Sequence, residues 1–383
     1  MLPYYIFLAV IMALYAIYQR DRKNKVALVA TAVVFIAFAG LRDSTVGTDT
    51  GGYTRNFKNT QVEEVIEDVL QDKDYPLAPP NLEGNTLWEK LKDEPGFYYL
   101  KVAGRLLGDN YAILLLLVAL IVCIGTLGVI HLVSQHELVS LFVFITLGLY
   151  TFSFNAERQG IAVAIYCLAI PYLIKRDLLR YTLVVAVAAM FHKTIVVTLP
   201  LYFLLTMRFS FKSVLFIMAG VGVLTAFMPH LIDFGTSLES RYRLYTITDE
   251  TAGRGLGLTA FYTMLAVFFV WWRQFMDWRL LRRYDVFLHM IICAAVIFLV
   301  VTGMGLYVET NRFANYFQIA AMFLWADVFA NPKHRPSWSM TAAFVLGHLI
   351  YFYVFTDRMA SLTPYALNET LFGPNSILPP APH

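Results

Sequence analysis

Long apolar runs recur from one end of this chain to the other, and its ionisable side chains collect between them. A helix rising about 1.5 Å per residue needs about 20 such residues to cross hydrocarbon about 30 Å thick. Inside hydrocarbon every peptide N–H and C=O must find its partner within the protein, so the runs are read as helices. Hydrophobic residues make up 58% of the 383 positions and charged residues 15%, too few polar groups to clothe a water-soluble fold of this size. The sequence therefore predicts an all-α polytopic transmembrane helix bundle of about 10–12 spans.

Single spans are placed at 3–18, 26–41, 111–133, 138–154, 158–174, 213–229, 258–273, 286–307, 313–330 and 338–356. The stretch 181–207 is too long for one span and short for two, and His192 and Lys193 interrupt it, which predicts two short or broken helices. The basic groups Arg20/Arg22/Lys23/Lys25, Lys175/Arg176/Arg180, Arg208/Lys212, Arg273/Arg279/Arg282/Arg283 and Lys333/Arg335 alternate with the spans, and positive loops stay cytoplasmic. Four regions follow: 1–41 with the first two spans, 42–110 as a soluble loop or lid, 111–356 as the transmembrane core, and 357–383 as a Pro-rich tail. The lid, the outer loop 229–257 and the tail then lie outside the cytoplasm. Val62 to Leu70 has helical apolar spacing and Tyr75 to Gly84 is rich in Pro and Asn, so the lid is expected to be partly helical. The first span lacks a signal peptide's basic start and small-residue cleavage site, and is expected to stay in the mature protein.

Several functions are disfavoured. Cys123, Cys167 and Cys293 are single and lie in apolar runs, which points to packing rather than to a disulfide framework or a metal knuckle. The net charge of +3 is spread over the loops, with no basic stripe interleaved with aromatics of the kind nucleic acid requires.

Four polar stretches remain. GLRDSTVGTDTGGY, from Gly40 to Tyr53, runs an apolar helix into Gly, Thr and Asp beside Arg42, a composition suited to an anionic, oxygen-rich ligand, or to a plain helix exit with turn glycines. FNAERQGIAVAIY opens a helix with Arg158 and Gln159, and ETNRFANYF places Arg312 and Asn315 ahead of Tyr316 at the start of another. Short outer loops disfavour Arg, so both need a reason: a diphosphate held at a helix amino terminus by a bidentate fork, or a local pair with Glu157 or Glu309. AMFHKTIVVTLPLYFL puts His192 and Lys193 at membrane depth, where a charge costs about 2.5–3.5 kcal/mol unless it meets water or a partner.

Together these stretches resemble the Wzy-type polysaccharide polymerases, in particular the EpsG-like branch. The resemblance rests on GLRDSTVGTDTGGY, EPGFYYL at Glu94 to Leu100, ERQGIAVAIYCLAIPYLIKR with the following FHKTIVVTLPLY, and NRFANYF, in that order over residues 40–320. It does not include the insertion between Tyr53 and Glu94 or the chain beyond Tyr353. It implies a multi-pass glycosyltransferase of the bacterial inner membrane with its active site facing the periplasm. Such an enzyme moves a growing glycan from one undecaprenyl diphosphate carrier to the terminal sugar of another carrier's repeat unit, making O-antigen or exopolysaccharide. The implied partners are the undecaprenyl-diphosphate-linked oligosaccharide, the lipid bilayer, a chain-length regulator and a flippase, with no nucleic acid.

That chemistry has two demands. Negative charge grows on the diphosphate leaving group, for which Arg42, Arg158, Arg312 and Lys193 are the chosen donors. The attacking hydroxyl must lose a proton, and His192, Asp49 and Glu94 compete for that task, with His192 favoured as base and the carboxylates orienting acceptor hydroxyls. Tyr53, Gln159, Asn315 and Tyr316 are placed at the sugars. No cofactor is expected, and no ligand spacing points to a metal. An O-antigen ligase shares this setting, and a lipid-linked oligosaccharide flippase is a further alternative, although transporters usually show repeated halves that are not evident in this sequence.

Overall fold

The computed structural model describes residues 1–60, 94–236, 255–306 and 308–368, the side chains of 228–236 and 308–309 excepted. The helix expected at Val62 to Leu70, the irregular Tyr75 to Gly84, most of the outer loop 229–257 and the end of the Pro-rich tail lie outside the described residues. Among those described there is no strand, only an isolated bridge between Arg42 and Leu367, and the fold is an all-α membrane bundle.

Among the described residues seven helices are long and apolar enough to cross a membrane: Leu2–Arg20, Ala112–Val133, Glu157–Lys175, Leu256–Phe275, Trp278–Gly303, Thr310–Ala330 and Trp338–Met359. Five shorter apolar helices accompany them, at Lys25–Gly40, Glu137–Thr146, Leu178–Ala189, Lys193–Leu205 and Phe211–Phe227. Trp278–Gly303 is the central post. From Tyr284 to Phe298 every residue is buried, which is what a helix apolar on all sides requires. It packs against Leu256–Trp272, Phe211–Thr236 and Ala320–Ala330. A second group forms where Ala112–Val133 meets Lys25–Gly40 and Glu157–Cys167. There Gly125 lies against the Ala164 carbonyl so closely that a Cβ would collide with it, the close approach that small residues allow between membrane helices. Cys123, Cys167 and Cys293 are all buried as free thiols in these interfaces.

Two features differ from the sequence reading. The span expected from residue 286 begins at Trp278, so Arg279, Arg282 and Arg283 sit on a helix rather than in a loop. Its start is capped by the Asp277 carboxylate on the Arg279 N–H, and Arg283 is neutralised by Asp327 and so can be carried into the bundle, while Arg279 and Arg282 stay exposed. The span expected at 138–154 is instead two pieces, Glu137–Thr146 and Phe152–Asn155, parted where Gly148 takes a positive φ.

The stretch 181–207 is not one continuous helix. Helix Leu178–Ala189 ends, His192 is extended, a 3₁₀ turn covers Lys193–Val197, and helix Thr198–Leu205 follows. The freed carbonyl of Met190 accepts a hydrogen bond from the Gly96 N–H at 2.9 Å, so the break is held by the start of helix Pro95–Leu107. The ends of segment 42–110 are helical, at Thr50–Lys58 and Pro95–Leu107.

Candidate active site

The polar stretches converge at one end of the bundle, where helix Lys25–Gly40 ends and helix Glu157–Cys167 begins. Glu94 is the hub. It is buried, and its Oε1 accepts from His192 Nδ1 at 2.8 Å and from the Lys193 N–H at 3.2 Å, while Oε2 accepts from Arg158 Nη1 at 2.7 Å. Its φ of 53° lies in the left-handed region, which a residue with a Cβ occupies at a cost of about 1–3 kcal/mol. The surrounding bonds hold it there, with Pro95 behind it starting a helix. Burial alone would raise the Glu94 carboxyl. The hydrogen bond and charge of His192, the charge of Arg158 and the Lys193 N–H outweigh it and bring the group down to about 2. A carboxylate that binds protons so weakly is a poor general base near neutrality. It is well suited to orienting its donors. Because an ionised carboxylate only accepts, the His192 Nδ1 must donate, and in the neutral ring Nε2 is left as the acceptor.

Arg158 is the second residue of helix Glu157–Cys167, so its side chain leaves from the turn whose backbone N–H groups carry partial positive charge. Its side chain is 34% exposed. The next residue, Gln159, donates from Nε2 to the Arg312 carbonyl at 2.7 Å and so ties the short Val308–Ala314 helix to this turn. The Arg312 side chain is 38% exposed and lies 3.7 Å from Asp49 Oδ2. Tyr53 stacks edge-on against Phe97 and lies close enough to Arg158 and Asp49 to feel the charges of both. Burial pushes its phenol up to about 12, so it remains a hydrogen-bond donor at neutral pH. Tyr316 is buried, and its hydroxyl meets Thr194 Oγ1 at 2.6 Å, joining the His192 break to the Arg312 region. Asn315 is half-buried at the first position of helix Asn315–Gln318.

Arg42 is placed differently from its expected role at a diphosphate. Only 2% of its side chain is exposed, and Nη2 pairs with the fully buried Glu157 at 3.2 Å. Nη1 donates to the Ala39 carbonyl at 2.5 Å, and the guanidinium lies over the Phe154 ring. The reason is tertiary. Residues 360–368 lace back over the exit of helix Lys25–Gly40, with the Asp43 N–H bonded to the Ala366 carbonyl and the Asn368 N–H to the Leu41 carbonyl. Glu157 is therefore the partner of Arg42 and not of its neighbour Arg158, whose acid comes from Glu94, distant in the chain.

Thr194 and Asn155 were not singled out in the sequence. Asn155 Oδ1 accepts from the Thr48 N–H and its Nδ2 donates to the Ala360 carbonyl, so it fastens the Asp49 turn to the returning tail. Next to it Gly47 takes a φ of 101°, with the Asn155 side chain filling the place a Cβ would need. Only the adjacency of Asn155 to Glu157 and Arg158 could have drawn attention to it.

The sequence pattern of the EpsG family matches residues 25–367. The chain belongs to the EpsG family. That is a family of Wzy-like polysaccharide polymerases, and the match takes in the returning segment up to Leu367 as well as the four polar stretches. No curated protein and no solved structure matches the chain. The role of this EpsG-family protein is that of a membrane-embedded polysaccharide polymerase.

Proposed function

We propose that this EpsG-family protein polymerises undecaprenyl-diphosphate-linked repeat units, at the periplasmic face of the bacterial inner membrane. A hydroxyl of the acceptor sugar attacks the anomeric carbon of the donor glycan. The bond from that carbon to the diphosphate oxygen breaks, and the lipid diphosphate leaves with the electron pair. The hydroxyl proton passes to His192 Nε2, the ring nitrogen left as acceptor by the Glu94 contact. Arg158 and Arg312, with Lys193 alongside, meet the charge that grows on the leaving diphosphate. Asp49, Tyr53, Gln159, Asn315 and Tyr316 line the sugar side, and Glu94 holds His192 and Arg158 in register. Guanidinium groups at a helix amino terminus stabilise the leaving group in this reading, so the transfer is proposed to be metal-independent. A flippase delivers the repeat unit and a chain-length regulator limits the product.

One observation carries the reading: two partly exposed arginines from distant parts of the chain stand at the same end of the bundle as a histidine whose Nδ1 is fixed on a carboxylate. The test uses the whole protein in liposomes, with lipid-linked repeat units extracted from cells that lack the polymerase. Arg158→Lys and Arg312→Lys should each lower polymer formation about a hundredfold with the protein still folded, because a point charge does not replace a bidentate fork. Normal chain lengths from both variants would overturn the proposal.

A further inference from the structure

We infer that Arg42 is a positioning residue, acting through Glu157 on the turn that carries Arg158 and Gln159, and that it does not touch the substrate. The inference rests on the reading that Arg158 and Arg312 hold the diphosphate. Glu157, Arg158 and Gln159 open one helix and point three ways: Glu157 to Arg42, Arg158 to Glu94, and Gln159 to the Arg312 carbonyl. Whatever fixes Glu157 therefore sets both exposed arginines, one directly and one through the Gln159 bond.

Arg42 is suited to that task and to little else. Its Nη1 is on Ala39, its Nη2 is within reach of Glu157 and Thr50, and its flat face rests on Phe154. Thr50 in turn donates to the Phe154 carbonyl at 2.8 Å, closing the enclosure around the pair. The backbone of Arg42 is held as well, by the bridge to Leu367. A diphosphate could reach this guanidinium only by displacing Glu157, which would leave a buried carboxylate without its cation.

A double-mutant cycle separates the roles. Arg42→Gln, Glu157→Gln and the double variant are purified in detergent, and kcat and donor KM are measured per folded molecule with the extracted lipid-linked repeat unit. Glu157→Gln should give the least folded protein, because a guanidinium cannot shed its charge, whereas the lone carboxyl left by Arg42→Gln can take up a proton. The folded fraction of each single variant should lose kcat by about tenfold to a hundredfold, as expected for misplacement of groups by an ångström or less. The double variant, with two neutral amides in the enclosure, should recover to within about tenfold of the unaltered protein. Unaltered turnover in the folded singles would reduce the pair to a purely structural role and overturn the inference. A double variant no better than Arg42→Gln would overturn it too, by placing Arg42 on the substrate. Should these variants fail to fold, Arg42→Lys decides: lowered kcat at unchanged donor KM supports positioning, and raised donor KM at unchanged kcat refutes it. Failure of the diphosphate reading shows up separately, as an Arg158→Lys protein with normal kinetics while the coupling between Arg42 and Glu157 persists.

Discussion

The two ends of the bundle both carry arginines beside acids, yet they use them in opposite ways. At one end Arg283 is 13% exposed and Asp327 not at all. Its Nε and Nη2 face the two carboxylate oxygens of Asp327, and Nη1 donates to the Val133 carbonyl at 2.7 Å. Arg273 likewise closes a two-pronged contact on Asp285. These forks staple the central helix Trp278–Gly303 to Ala320–Ala330, to the end of Ala112–Val133 and to its own preceding turn. At the other end Arg158 reaches Glu94 with one arm, Glu94 shares itself among three donors, and about a third of the Arg158 side chain stays accessible. Arg283, which staples helices, is wrapped until its charge is answered, whereas Arg158, proposed to meet the diphosphate, keeps a face open. Arg42 lies at the same end as Arg158 and is wrapped more tightly than Arg283, so location alone does not leave an arginine accessible.

This contrast can be broken in three places. The largest effect belongs to the closed end. Asp327→Ala strands Arg283 in the bundle and should lower stability by about 3–5 kcal/mol, read as loss of folded protein in detergent, while turnover of the surviving fraction is unchanged. Specific loss of turnover with normal stability would erase the distinction between the ends. Next comes His192→Ala, which should slow polymerisation about 10²- to 10³-fold and remove one ionisation from the pH profile of kcat/KM. An unchanged profile would hand the proton to Asp49. The smallest effect is Glu94→Gln, expected to cost about 1–3 kcal/mol in thermal unfolding at neutral pH. Folding depresses the Glu94 carboxyl from its ordinary 4.5 to about 2, so its contribution is complete above about 4.5 and fades as pH falls through about 2. The stability gap between unaltered and Glu94→Gln protein should be full at pH 5 and narrow as pH falls below about 4.5. A gap that keeps widening below about pH 4.5 would contradict the assignment of Glu94 as the ionised anchor.

The outcomes at particular residues show where reading by sequence stops. His192 and Lys193 marked the break in 181–207 because a charge at membrane depth is costly enough to reveal itself in one dimension. The arginines 158 and 312 stood out for a similar reason, being placed where short loops disfavour them. Their partners did not. Glu157 was the obvious local acid for Arg158, but successive residues on a helix point about 100° apart, and the bundle turned Glu157 inward to Arg42 and Arg158 outward to Glu94. The start of Trp278–Gly303 was hidden similarly, because three arginines read as a loop until Asp327, 44 residues on from Arg283, is known to answer one of them.

What the sequence determined alone was the solvent and the class of fold: runs of apolar residues separated by charge leave helices as the economical way to satisfy the backbone in hydrocarbon. It also supplied the four polar stretches from which the site is made. What the tertiary structure decided was which cations stay accessible and which are consumed in packing. Burial and ion pairing between distant segments depend on how helices are turned about their axes and laced together, as residues 360–368 are laced over Arg42, and no local pattern of residue types records that.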